Sequence, residues 1–284
     1  THCCNYLLAT DIEMSTPEGF RSASWAAGYG DHLLQPDLST FRIVPWLAGT
    51  AMVLCDVLDH DTHLPVPHSP RGMLKRQVER LAASGYAAVM ATELEFFLFE
   101  GTVDANRKRR FADLAPVGGY SQDYHIFQTT KEEAVMRPLR NHLVAAGIAV
   151  EASKGEAEAG QEELNLRHAP ALLCADQHTI AKHAAKEIAW QHGMSASFLA
   201  KWRQDRVGSA THIHCSLERD GGNVFRDDAR SHGKSEIMDR FVAGLIRYAA
   251  DCTVFFAPYV NSYKRFRRGS FAPTRAAWSV DNRT

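Results

Sequence analysis

The sequence has no apolar run approaching the roughly 20 residues that cross a bilayer, so no membrane span is expected. Net charge is also nearly absent. Thirty-two Lys and Arg stand against 33 Asp and Glu, for a formal charge of -1, which argues against a general affinity for nucleic acid or anionic membrane. The six cysteines (Cys3, Cys4, Cys55, Cys174, Cys215, Cys252) form no C-x-x-C pair and no regular spacing. Reduced, mostly buried thiols in a cytoplasmic protein are the expectation. No signal-peptide pattern opens the chain at Thr1-His2-Cys3-Cys4, and no repeat or low-complexity tract is present. With 45% hydrophobic and 23% charged residues over 284 positions, the composition is that of a soluble globular protein, long enough for one large domain or two smaller ones.

Taken in order, residues 5–13, 32–35 and 50–56 read as strands. Three prolines between Asp59 and Pro70 suggest a linker. A small β-rich domain over 1–65 and a larger domain over 66–284 are therefore expected. The larger part should open with a helix over 71–84, where Met73, Leu74, Val78 and Leu81 recur at helical spacing and Gly85 stops the run. A strand over 88–99 follows, then a loop over 104–122, a helix over 132–146 and a strand over 148–151. A long helix from Pro170 to about His192 precedes strands near 196–199 and 212–217 and a helix over 234–256. Helices alternate with antiparallel-looking strands and no βαβ phosphate fingerprint occurs, so the class is α+β.

Chemistry concentrates in four stretches. In Thr92-Glu93-Leu94-Glu95-Phe96-Phe97-Leu98-Phe99, strand alternation places Glu93 and Glu95 on one face. Two like charges at the head of an apolar strand call for a cation between them or a strand end that reaches solvent. Glu156 and Glu163 follow, separated by small residues. His212 and His214 share a strand face by the same alternation. Lys264, Arg265, Arg267, Arg268, Arg275 and Arg283 make the tail basic. Carboxylates with one or two histidines suit Mg²⁺ or Mn²⁺ better than zinc, and cations beside divalent metals suggest a polyphosphate between them. Glu158 and Glu162 read as solvated charges, His178 and His183 as surface residues, and 107–110 as a solvated basic loop.

These stretches, in this order, resemble glutamine synthetases of the bacterial type I class over nearly the whole chain. The matching segments are Glu93-Leu-Glu95-Phe-Phe, Gly155-Glu156 through Gly160-Gln161-Glu162-Glu163, Gly208-Ser209 through His212-Ile-His214-Cys-Ser216-Leu, Asn261-Ser-Tyr-Lys-Arg265 and Trp278-Ser-Val-Asp-Asn-Arg283-Thr. The resemblance implies an N-terminal β-grasp domain and a catalytic domain with a curved antiparallel sheet flanked by helices. It also implies a homo-oligomer, a dodecamer of two hexameric rings, with ATP, glutamate and an amine as small-molecule substrates. Glu95, Glu156 and Glu163 would bind one Mg²⁺ or Mn²⁺. Glu93 and His212 would bind a second, with another glutamate. His214, Ser216 and Lys264 would face ATP, Gly208 would contact glutamate, and Arg265 and Arg283 would contact glutamate or the transferred phosphoryl group.

Two departures refine that picture. Where ammonia-using members carry a flap glutamate, six positions after the signature arginine, this chain has Phe271. The β-grasp loop reads Arg21-Ser22-Ala23-Ser24-Trp25, without the ammonium-binding aspartate. An aromatic wall suits a larger, partly apolar amine, so the pattern looks like the γ-glutamyl-amine ligase branch, which joins glutamate to polyamines, ethanolamine or similar amines. The family also continues past Thr284 with further metal and substrate residues, and a trimmed sequence is expected. An ammonia-using synthetase and a catalytically inactive structural relative are the alternatives.

Overall fold

The computed structural model describes residues 1–11 and 13–280. The chain divides into two compact units, Thr1–Gly85 and Tyr86–Thr284. The first contains β1 (His2–Cys4), β2 (Asp31–Pro36), β3 (Arg42–Ile43), β4 (Ala51–Met52), β5 (Cys55–Asp59) and helix α1 (Pro70–Ala83). Strands β1, β2 and β5 form one antiparallel sheet in that order, and β3 pairs with β4.

Two expected strands differ here. Residues 5–8 form a 3₁₀ turn, because the Asn5 side-chain amide donates to the Ser22 carbonyl at 2.6 Å and so anchors the chain locally instead of extending it. The apolar run over 50–56 divides between β4 and β5, since the Leu54 N–H is taken by Thr40 Oγ1 at 2.8 Å and is lost to any ladder. Helix α1, expected to open the second domain, clusters with the first unit. Charge accounts for this, because α1 has no buried residue. Arg71 instead reaches Asp56 and Asp37, both at 2.7 Å, and Lys75 pairs with Asp56. Hydrogen bonds from Ser39, and then from Arg71, hold the Asp37 carboxyl down at about 2.

The second unit contains β6 (Ala87–Glu100), α2 (Val103–Lys108), α3 (Ile126–Thr130), α4 (Glu133–Ala145), β7 (Val150–Gly155), β8 (Gln161–Pro170), α5 (Ala171–Gln191), β9 (Met194–Ser197), β10 (Thr211–Arg219), β11 (Gly222–Asn223) and α6 (Glu236–Phe256), with a last 3₁₀ turn at Ser262–Arg265. Helix α2 falls inside the expected loop. Thr102 caps it by accepting the Ala105 N–H at 3.2 Å, and Asn106 donates to the Glu100 carbonyl and to Ser195 Oγ, both at 3.0 Å.

The sheet runs β11-β10-β6-β8-β7, with β9 pairing the far end of β6, and its pairings are antiparallel. Strand β6 is central, and its C-terminal part is covered on both faces. Phe96, Phe97, Leu98 and Phe99 are all buried, which is why the apolar run does not alternate. Phe97 and Phe99 pack on Trp202 with ring centroids 5.6 and 4.9 Å apart, while Phe96 packs on Phe198. Helix α5 approaches closely through Ala181, Ala184, Ala185 and Ala189, all fully buried. Its His178 contacts Thr92 Oγ1 at 3.1 Å, so α5 covers the face of Thr92, Leu94 and Phe96 and leaves Glu93 and Glu95 on the other. His178 is therefore half-buried rather than a surface residue, and burial pushes its pKa down. His183 is exposed and pairs with Glu187. The six thiols are free, but only Cys174 is fully buried.

Candidate active site

The site begins with strand register. Across β6 and β10, Glu93 lies opposite His212, and across β6 and β8, Glu95 lies opposite Glu163. Directly opposed residues share a face and come within reach of one another. His212 Nδ1 lies 2.9 Å from one Glu93 oxygen and His214 Nε2 lies 2.6 Å from the other. Burial alone would raise the Glu93 carboxyl, but the two histidine hydrogen bonds outweigh it and hold the carboxyl below its ordinary value.

Glu95 is more enclosed. The Ala210 N–H donates to its Oε2 at 2.7 Å and the Gln161 amide donates to the same oxygen at 3.2 Å. Burial, aided by the charge of Glu156, pushes the Glu95 carboxyl up, and burial with Glu156 does the same to Glu163. Two donor groups result: Glu93, Glu163 and His212, and Glu95, Glu156 and Glu163, each with its ligand atoms within 4.8 Å of one another. Glu163 is common to both. Crowded carboxylates with raised pKa values are stabilised by a cation among them, and oxygen-rich groups with a single imidazole fit hard divalent ions. The donors present therefore fit two such ions.

The Gly208 loop stands beside this cluster. The Gln161 amide also donates to the Gly208 carbonyl at 3.2 Å, and Arg265 Nη1 donates to the Ser209 carbonyl at 3.0 Å. Gly208 has no room for a Cβ, which would meet the Arg265 stem at 3.0 Å and overlap the Ala200 carbonyl. The segment carrying Arg265 is held by Asn261, which accepts from the Lys201 N–H and donates to the Lys201 carbonyl, both at 2.8 Å. Ser216 lies two residues along β10 from His214. Lys264 is exposed, and Phe271 is exposed with a positive φ of 55°. Arg283 lies outside the described residues.

Glu158 and Glu162 are not solvated charges. Glu158 accepts the Val207 N–H at 3.1 Å and pairs with Arg206 at 3.2 Å, tying the Glu156 turn to the Gly208 loop. Glu162, on the opposite face of β8 from Glu163, is buried against Gln122, whose amide nitrogen lies 2.6 Å from Glu162 Oε1 and 2.6 Å from Glu132 Oε2. Sequence reasoning missed Gln122 and Glu132, since nothing local marks a partner 40 or 30 residues away. Gln161 was legible in principle, because alternation puts it on the Glu163 face.

Burial pushes the Glu132 carboxyl up to about 8, beyond what the Gln122 hydrogen bond and Lys131 take back. The folded state thus binds this proton more tightly than the unfolded chain does. Its stabilisation is complete below the ordinary glutamate pKa and is lost as pH rises toward 8. We expect a loss of up to about 4 kcal/mol between pH 5 and 8 from this group. Denaturant unfolding of Glu132→Gln should show a flatter pH dependence, and equal slopes for the two proteins would refute the assignment.

A family profile described as "Glutamine synthetase, catalytic domain" matches residues 67–284. The chain belongs to the glutamine synthetase family. The six-stranded antiparallel sheet and its helices are the curved-sheet catalytic fold of that family. The gamma-glutamylethanolamide synthetase GlnA4 of Streptomyces coelicolor is 44% identical over all of this chain and 61% of its own length. A glutamate–isopropylamine ligase from a Pseudomonas species is 34% identical over all of this chain and 62% of its own. A solved structure of apo GmaS without ligand superposes with a TM-score of 0.77 at 29% identity, covering 85% of this chain and 55% of that one. The chain thus spans less than two thirds of these relatives. Within the described residues, no helix of this glutamine synthetase family member is long and apolar enough to cross a membrane.

Proposed function

We propose that the protein is an ATP-dependent glutamate–amine ligase, and the observation that carries this reading is the pair of donor groups sharing Glu163 beside Arg265. Glu95, Glu156 and Glu163 would hold one divalent cation, and Glu93, Glu163 and His212 a second, Mg²⁺ or Mn²⁺ by the hardness of the donors. Such ions, when bound, supply positive charge against phosphate oxygens. The reaction has two displacements. A γ-carboxylate oxygen of glutamate attacks the terminal phosphorus of ATP and ADP leaves. The neutral amine nitrogen then attacks the acyl carbon, the phosphate leaves, the nitrogen gives up one proton to the departing phosphate, and an amide bond forms.

The chain's own residues orient these steps. Gly208 is assigned to glutamate, and its bare Cα lets the Arg265 stem and the Ala200 carbonyl pack against it. The Arg265 guanidinium, anchored on Ser209, donates to the transferring phosphoryl oxygens. Arg283, by the family resemblance, would contact glutamate or the transferred phosphoryl group. His214, Ser216 and Lys264 face the nucleotide. Phe271 offers an aromatic surface to the alkyl part of the amine, where ammonium would need a carboxylate. The relatives that act on ethanolamine and isopropylamine support a small alkylamine as acceptor. The finer architecture belongs to the same reading: a β-grasp fold over residues 1–65, a family-domain boundary near residue 65 even though α1 clusters with the first unit, a dodecamer of two hexameric rings and a cytoplasmic location.

The test is phosphate release with glutamate, ATP, Mg²⁺ and a panel of amines. Ethanolamine, isopropylamine or a polyamine is expected to exceed ammonium as acceptor by at least about tenfold in kcat/KM. Ammonium as the best acceptor would place the protein with the ammonia-using synthetases. No amine-dependent release with any acceptor would remove the ligase reading. Phe271→Glu is expected to lower the preference for alkylamine over ammonium by about tenfold, and an unchanged ratio would exclude Phe271 from the acceptor pocket.

A further inference from the structure

One cation already stands at the carboxylate cluster, and it comes from the chain itself. Lys154 lies on β7 directly opposite Glu163 on β8, so alternation puts it on the same face as the acidic groups. Its ammonium is ion-paired to Glu156 Oε1, lies 3.7 Å from Asp123 Oδ1 and stands 5.4 Å from the centre of the Tyr124 ring. The other Glu156 oxygen accepts the Ala157 N–H at 3.3 Å. Both oxygens of Glu156 are therefore engaged, although Glu156 is one of the three carboxylates whose ligand atoms converge.

We infer that Lys154 is a resident counter-cation that competes with the divalent ion for Glu156 and so sets the affinity of the Glu95–Glu156–Glu163 group. The argument is electrostatic. Three partly buried carboxylates within 4.8 Å repel one another unless a positive charge lies among them. Lys154 supplies part of that charge through its ion pair with Glu156. When a divalent ion arrives, Lys154 adds like-charge repulsion and must release the Glu156 oxygen. Asp123 and the Tyr124 ring lie where the displaced ammonium retains a carboxylate and an aromatic face. The lysine therefore keeps the metal-free site assembled at a cost in affinity for the metal.

The inference rests on the reading of these carboxylates as divalent-ion ligands, and one experiment separates the two. Metal-free protein is titrated with Mn²⁺ while free ion is followed by electron paramagnetic resonance. The unsubstituted chain, Lys154→Met, Lys154→Gln and Lys154→Arg are compared, each also in a His212→Ala background that isolates the Glu95 group. Met and Gln are expected to tighten Mn²⁺ binding about tenfold, and Arg, which keeps the charge, to stay within about threefold. The metal-free Met and Gln variants should also melt below the unsubstituted protein, with saturating Mn²⁺ closing the gap. Equal or weaker Mn²⁺ binding by Met and Gln overturns the inference, and so does a melting gap that Mn²⁺ leaves open. Absence of Mn²⁺ binding by the unsubstituted chain overturns the metal reading and this inference with it.

Discussion

Glu95→Ala is expected to reduce metal-dependent phosphate release by at least about a thousandfold while leaving the protein folded. The carboxylate sits on the central strand within 4.8 Å of ligand atoms of Glu156 and Glu163, and its neighbours Ala210 and Gln161 aim donors at it. Removing it deletes one of three ligands from a donor group, which lowers affinity steeply because the remaining two cannot complete the coordination of a hard ion. Stability behaves differently. Burial and the charge of Glu156 raise this carboxyl's pKa, so its ionised form is held in the fold at a cost. The apolar packing of Phe96, Phe97 and Phe99 beyond it is untouched. Near-native circular dichroism with lost turnover and weakened Mn²⁺ binding is the expected combination. Full activity in the variant would sink the metal assignment, and global unfolding would show that the strand, rather than the site, depends on Glu95.

Gly160→Ala should cost about 3 kcal/mol or more of stability, and the damage should extend to metal binding. Gly160 has φ +70°, and a Cβ there would stand 2.7 Å from the Leu98 carbonyl and 3.0 Å from both Pro116 Cβ and the Val117 nitrogen. A left-handed conformation in an alanine already costs on the order of 1 kcal/mol. Here two of the three close contacts are backbone atoms and the third belongs to a proline ring, so none can swing aside. The Gly160 carbonyl accepts the Leu98 N–H at 2.7 Å and its own N–H donates to Gln122 Oε1 at 3.0 Å. A shift at this position therefore moves the turn that joins Glu156 to Glu163. A fall of several degrees in melting temperature with at least about tenfold weaker Mn²⁺ binding is expected. A variant matching the parent on both measures would show that the turn relaxes without strain.

Much of the site was legible because strand periodicity is a local rule. A side-chain period of two puts Glu93 with Glu95 and His212 with His214 before any fold is known. The long central strand, α5 and α6 were legible for the same reason: Phe96 to Phe99 form an apolar run flanked by glycine, and the helices are long. Misreadings fell where side chains capture backbone groups. Asn5 turns the chain at a place that reads as a strand, and Thr40 takes the Leu54 N–H and divides another.

The sequence by itself determined which residues carry hard donor atoms, and that Glu93 shares a strand face with Glu95 and His212 with His214, since donor chemistry and alternation need only neighbours in the chain. Tertiary structure alone decided the grouping. Antiparallel register brings Glu163, 68 positions after Glu95, directly opposite it and makes it common to both donor groups. It also decided the fate of charges that looked solvated. Glu158 and Glu162 are recruited by Val207, Arg206 and Gln122. A buried polar group must find a partner wherever the fold supplies one, and that partner's place in the sequence is set by topology rather than by spacing.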